Sequence, residues 1–235
     1  MANRYSKNKF AITIIRPLWR LYHNYEYKRQ VAKFHKNGLV LLSKFSELCH
    51  ENQIVFWLDF GTLLGAWREH DFIEHDYDID LGVMFEDRDK LQHVLENGGF
   101  SLIREFKVIK DNILIGAEQT YSFKSVMVDI FYYHKIKDDK IMLNSFTPIL
   151  DDNNFKGRAE IKEIIMPYFG FDKYLFKGIS VYIPRDTPNY LAYYYGNNYM
   201  VPDPNYDYKK IMRNIRYYNR SDKTAEFIEY KKLYI

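Results

Sequence analysis

The chain has 235 residues, 47% of them hydrophobic, and sets 34 basic against 31 acidic side chains for a formal net charge of +3. That is enough apolar chain for one domain with a real core. A single cysteine, Cys49, excludes an internal disulfide framework and a Cys-rich zinc site. The small excess of positive charge sits at the two ends without a recognition motif, which argues against nucleic-acid binding.

The N-terminal stretch is basic: Arg4, Lys7, Lys9, Arg16, Arg20, Lys28, Arg29, Lys33 and Lys36 face Glu26 alone. Phe10–Tyr22 within it is too charged and too short to span a bilayer, which needs about 20 apolar residues. Its Trp and Tyr beside cations suit an anionic membrane surface, or equally a helix packed on the domain with a solvated basic side. No apolar run with a small-residue cleavage site precedes it, so a cytoplasmic protein is expected, peripheral at the inner face of the plasma membrane if that surface is used. Val31, Phe34, Leu39, Leu41, Leu42, Phe45 and Leu48 predict a helix over 25–50. The organisation expected is a basic helical arm over 1–50 and an α+β catalytic domain over 51–235, forming a single domain overall.

Residues 54–60 read as a buried strand closed by Gly61, and Thr62 opens an apolar-periodic helix over 62–69. Strand, Gly-Thr and helix in that order offer backbone N–H groups and a hydroxyl to an anion. Arg68, almost two turns further on, could reach a phosphate bidentately. Taken singly, a capped turn and a surface charge are the plainer readings.

The next strand, over 77–85, carries the most informative pattern in the chain. In His75-Asp76-Tyr77-Asp78-Ile79-Asp80-Leu81-Gly82-Val83, three carboxylates occupy every second position. Alternate strand residues share a face, so Asp76, Asp78 and Asp80 point one way while Ile79, Leu81 and Val83 point into a core. Aligned carboxylates repel one another, and a hard cation such as Mg²⁺ (or Mn²⁺) with oxygen ligands offsets this. The alternative is a solvated acidic strand face, but Asp is depleted from strands.

A helix over 87–97 ends at Gly98-Gly99, and strands follow over 100–108, 113–123 and 126–134, the first two joined at Asp111-Asn112. Asp129 lies amid Val, Ile and Phe, where a lone carboxylate is costly unless paired or metal-bound. Beside the Asp76–Asp80 strand it completes a site of three acids as third ligand or general base; on an edge it would simply face water. A short strand is expected over 140–143 and another over 178–184, with no clear pattern between 144 and 177. Helices are expected over 189–195, 207–218 and 224–233. Lys209, Lys210, Arg213, Arg216 and Arg220 form a second basic cluster that could line the entry of an anionic substrate.

Gly61-Thr62-Leu63-Leu64-Gly65-Ala66-x-Arg68, then Asp71-Phe72-Ile73, Asp76-Tyr77-Asp78-Ile79-Asp80 and Val128-Asp129-Ile130-Phe131 together resemble the LicD and fukutin-related phosphotransferase family. The likeness continues through Val181–Pro184 and Tyr195-Gly196-x-x-Tyr199-Met200-x-Pro202, and its Asp-Tyr-Asp-Ile-Asp wording is closer to the ribitol-phosphate transferases. Glu74-His75 stands where the family usually has Pro-Trp, and the Cys-bound zinc element of the animal members cannot be built here. The resemblance implies a nucleotidyltransferase-like mixed sheet flanked by helices. It also implies transfer of ribitol, glycerol or choline phosphate from a CDP-activated donor to a sugar hydroxyl of a cell-surface glycan or lipid-linked oligosaccharide, releasing CMP. Asp78 and Asp80 become primary Mg²⁺ ligands, Asp129 third ligand or base, and Asp76 a further ligand or a group orienting the others. Gly61 and Thr62 would hold donor phosphate with Arg68 nearby. His70 and His75 flank the site and read best as hydrogen-bond partners. The main rival is a nucleotidyltransferase adding NMP from an NTP to a protein or small molecule. A non-catalytic module that kept the fold would lack a metal carboxylate, and none is missing.

Overall fold

A computed structural model describes residues 9–137, 139–203, 206, 215–221 and 223–230. Helix α1 spans Lys9–Glu51, about 65 Å at 1.5 Å per residue. It begins well before the predicted 25–50. Phe34, Leu41, Leu42, Phe45 and Cys49 on its second half are fully buried, so this half is part of the core, and burial pushes the Cys49 thiol well above its ordinary range.

Strand β1 is Phe56–Leu58, helix α2 Phe60–Arg68 and strand β2 Asp78–Met84. The strand is shorter than the predicted 54–60 because Asp59 leaves the ladder to cap α2 and Phe60 takes a left-handed φ of 37°. β1 and β2 pair antiparallel, with Trp57 opposite Gly82. A Cβ at Gly82 would lie 2.1 Å from the Trp57 indole, so glycine is required there. Helix α3 (Arg88–Asn97) leads into β3 (Ser101–Lys110) and β4 (Ile113–Phe123). Their turn places Asp111 and Asn112 at φ 51° and 62°, the twist a two-residue hairpin needs. β5 (Val126–Lys137) runs antiparallel to β4 and parallel to β2.

β6 (Lys140–Pro148), β7 (Arg158–Pro167) and β8 (Phe171–Phe176) occupy the stretch that showed no clear pattern. β9 (Ile179–Pro184) lies parallel to β1, and α4 (Thr187–Tyr195) follows. The expected C-terminal helices are corrected by β10 (Ile215–Tyr217) and β11 (Ala225–Glu229); residues 207–214 and 231–233 lie outside the described residues. β11 pairs with both β3 and β7, and Phe227 stacks on Phe106 at 4.9 Å. Two rows of inter-strand hydrogen bonds outweigh a weak helical period.

Among the described residues, β3-β4-β5-β6-β7-β11 close into a barrel-like ring, while β2-β1-β9-β8 extend from β5 as a wing. The expected mixed sheet with helices is therefore present, with a closure the sequence reading did not include. β5 belongs to both parts, and this brings β2's acids beside the ring.

Candidate active site

Strand register builds the site. Asp80 on β2 is directly opposite Asp129 on β5, Asp129 is opposite Thr120 on β4, and Thr120 is opposite Arg104 on β3. Four strands thus present one row: Asp80, Asp129, Thr120, Arg104. Thr120 Oγ1 donates to Asp129 Oδ1, Arg104 Nη2 donates to Asp129 Oδ2 at 3.2 Å, and Arg104 Nε donates to Thr120 Oγ1 at 2.8 Å. Asp78, two residues before Asp80, belongs to the same face. Sequence reasoning missed Thr120 and Arg104. Arg104 sits at a register shift in β3, so only the folded pairing shows that it reaches Asp129.

The Gly61-Thr62 pair is committed to Asp80 rather than standing open to an anion. Gly61 N–H donates to Asp80 Oδ2 at 3.0 Å, and Thr62 Oγ1 accepts from the Asp80 N–H at 2.9 Å. A Cβ at Gly61 would stand 3.3 Å from Asp80 Oδ2 and 3.4 Å from Asp76 Oδ2, so glycine lets both carboxylates approach the helix start. Arg68 is also engaged: it donates to Glu69 at 2.5 Å and to the Tyr199 carbonyl at 3.3 Å.

Beneath the helix start lies Asp59, fully buried and absent from the expected site. It accepts from Phe60 N–H (2.9 Å), Tyr133 Oη (2.5 Å) and Tyr190 Oη (2.9 Å). Tyr194 Oη lies 2.8 Å from Tyr133 Oη. Burial outweighs these bonds and raises its carboxyl to about 6.

The acids disturb one another strongly. Burial first, then Asp129 and Asp76, push Asp78 up to about 8, with Arg104 opposing. Asp80 stands well above the carboxylate range through burial and then the charges of Asp78 and Asp129. Burial also raises Asp76 to about 6, and Glu118, next but one to Thr120, to about 8 with Asp129 adding to the effect. An all-oxygen donor set whose ionisation is opposed by burial and mutual repulsion fits a hard divalent ion, which would favour the ionised form. Among the described residues no three His, Cys, Asp or Glu side chains stand together as a ready-made cage. Both Asp129 oxygens are engaged by Thr120 and Arg104, and Asp80 Oδ2 by the Gly61 N–H.

A cavity of about 1220 Å³ opens on the Gly61 and Asp76 side of the site, lined by Gly61, Arg68, His75, Asp76, Tyr195, Tyr199 and Tyr206, whereas Asp78, Asp80, Asp129, Thr120 and Arg104 are not part of its wall. His70 is exposed. Of the second basic cluster, Lys209, Lys210 and Arg213 lie outside the described residues. Arg220 pairs with Glu160 and Asp151, and Arg216 lies over the Tyr218 ring; neither pairing involves a residue of the row.

The sequence profile described as LicD/FKTN/FKRP, nucleotidyltransferase domain, matches residues 53–186. Human "Ribitol-5-phosphate transferase FKTN" is 24% identical over 80% of this chain and 38% of its own length. "Uncharacterized protein RP689" of Rickettsia prowazekii is 30% identical over 71% of this chain and 60% of its own length. The chain therefore spans 38% and 60% of the length of these two relatives, less than two thirds of either. Among solved structures, ANT(2")-Ia in complex with adenylyl-2"-tobramycin overlays at a TM-score of 0.41 and 14% identity, covering 74% of this chain and 84% of that one, too distant a likeness to argue from.

Proposed function

Since the chain belongs to the LicD/FKTN/FKRP nucleotidyltransferase family, we propose that it transfers an alcohol phosphate from a CDP-activated donor to a sugar hydroxyl of a glycan or lipid-linked oligosaccharide. Ribitol, glycerol and choline phosphate are the candidate groups. One observation carries the reading: Asp80 and Asp129 meet side by side on parallel strands, next to Asp78 and a cavity that Asp76 helps to line.

In this reading the acceptor oxygen attacks the β-phosphorus, its bond to the CMP oxygen breaks, and a phosphodiester and CMP result. Asp129 takes the acceptor proton, held in place by Thr120 and Arg104. Arg104 also places a positive charge where equatorial phosphoryl charge develops, the main demand of phosphoryl transfer. Asp78 and Asp80, with Asp76 or Asp129, would hold Mg²⁺ or Mn²⁺, which would supply charge neutralisation for the diphosphate and the leaving CMP. Gly61 N–H and Thr62 Oγ1 fix Asp80, so their part in donor binding is indirect. Tyr195, Tyr199 and Tyr206 in the cavity wall would stack on the nucleoside, and Arg68 would supply a cation for its phosphate on leaving Glu69.

No helix among the described residues is long and apolar enough to cross a membrane. Leu21, Tyr22 and Tyr25 are 65%, 50% and 65% exposed within the basic segment, which supports peripheral contact where a lipid-linked acceptor is held at the inner face of the plasma membrane.

The test is a panel of CDP-ribitol, CDP-glycerol and CDP-choline with Mg²⁺ and candidate saccharides, followed by CMP release. Turnover with one donor and its loss in Asp78→Asn and Asp80→Asn, both still folded, are expected. Pyrophosphate release from an NTP without CMP formation from any donor would replace this reading with NMP transfer.

A further inference from the structure

We propose that α1 clamps the loop carrying Asp76, with Tyr27 and His35 as positioning residues. The catalytic consequence rests on the transferase reading above; the clamp itself does not.

Residues 69–77 join α2 to β2 with no helix or strand of their own, and the chain bends there through His70 at φ 54°. Inside this loop Asp76 N–H donates to the Ile73 carbonyl at 3.0 Å. Phe72 also packs edge-on against Phe176 of β8 at 5.1 Å, and further restraints on the Asp76 side come from α1. Tyr27 Oη donates to the His75 carbonyl at 2.8 Å. His35 Nε2 lies 2.8 Å from the Glu74 carbonyl; a carbonyl only accepts, so this nitrogen carries the proton. Tyr27 also meets the Tyr77 ring edge-on at 6.0 Å, and Phe34 meets Phe72 at 4.8 Å. Two helical turns separate Tyr27 from His35, which puts them on one face.

The grip therefore falls on residues 72, 74, 75 and 77, on both sides of Asp76. The grip is firm because α1 is rooted in the core through Phe34, Leu41, Leu42 and Phe45, each fully buried. At the loop's far end the Lys177–Asp71 pair, at 2.6 Å, ties it to the strand β8–β9 turn. Asp76 Oδ2 sits against Gly61 beside Asp80 Oδ2, where a displacement of about 1 Å is enough to cost a reaction much of its rate.

Full-length Tyr27→Phe/His35→Ala tests the clamp, with His35→Gln as the variant that keeps a donor. Phenylalanine retains the ring contact with Tyr77. Amide exchange at Asp76 is expected to rise about tenfold in the double variant, the scale of two exposed hydrogen bonds. Exchange in the buried half of α1 and Tm should be unchanged, and His35→Gln should exchange nearly as the parent does. CMP release should show kcat down about tenfold with donor KM little altered. Unaltered Asp76 exchange overturns the clamp, and faster exchange with kcat intact overturns the positioning role of Tyr27 and His35. If the parent releases no CMP from any donor, the transferase reading fails, while the exchange measurement still decides the clamp.

Discussion

Asp59→Asn isolates the thermodynamic cost of the buried carboxylate under α2. Asp59 titrates near 6 in the folded chain against 3.8 when exposed, a difference of roughly two units, or about 3 kcal/mol at 1.36 kcal/mol per unit. Because the folded value is the higher one, the folded state binds the proton better. Stability from this group is fully present below pH 3.8, falls as pH rises, and is lost once pH passes about 6. Asparagine carries no such titration. Its amide oxygen can still accept from Phe60 N–H, and the hydroxyls of Tyr133 and Tyr190 can turn to its other atoms. Urea unfolding of both proteins with chelator present, between pH 4 and 7, measures the effect. The variant should gain on the parent by about 3 kcal/mol across that range, roughly 6–12 °C in Tm for a domain of this size. A difference between the two proteins that is the same at pH 4.5 and pH 7 would show that Asp59 is ionised throughout and refute the argument.

Three further outcomes are expected. Gly82→Ala should cost about 3 kcal/mol in urea unfolding, because its Cβ would fall 2.1 Å from the fully buried Trp57 ring. Arg104→Met should lower kcat about a hundredfold in the CMP-release assay with the fold intact by circular dichroism, since Asp129 loses the cation beside it. Millimolar Mg²⁺ should raise Tm more at pH 8 than at pH 5, because Asp78 and Asp76 shed their protons near 8 and 6 and a metal competes with those protons; equal shifts at both pH values would count against these acids as ligands.

Much of the site was legible because its signals are local. Three acids at period two and an Asp inside an apolar run survive any error in strand boundaries, whereas the adjacency of the two strands was only a condition of the reading, and their parallel pairing comes from the structure. Long-range facts were not legible. Arg104 reaches Asp129 across β4, and no local pattern on β3 sets it apart from Lys107. Asp59 sat inside what read as a buried strand; the residue type conflicted with that environment, and the conflict was the available clue. The ring's closure depends on β11 meeting β3, more than 100 positions earlier, in a segment whose spacing of apolar residues fits a helix almost as well as a strand.

The arrangement makes sense only if its instability serves a purpose. In the row itself Arg104 is the cation, and it must serve Asp129 while Asp78, Asp80 and Glu118 stay raised by burial and by one another. A sheet selected for stability alone would place Val or Ile at these positions, as β5 does on its opposite face with Val128 and Ile130, both fully buried. Instead the two Gly61-facing acids, Asp76 and Asp80, are brought closer by a residue that lacks a side chain, and Thr62 and the Gly61 N–H hold one of them still. Placing like charges together and then fixing them is the opposite of relaxing the repulsion. Positive charge arriving from outside relieves it, and on the function proposed above a divalent ion accompanying the donor would bring that charge.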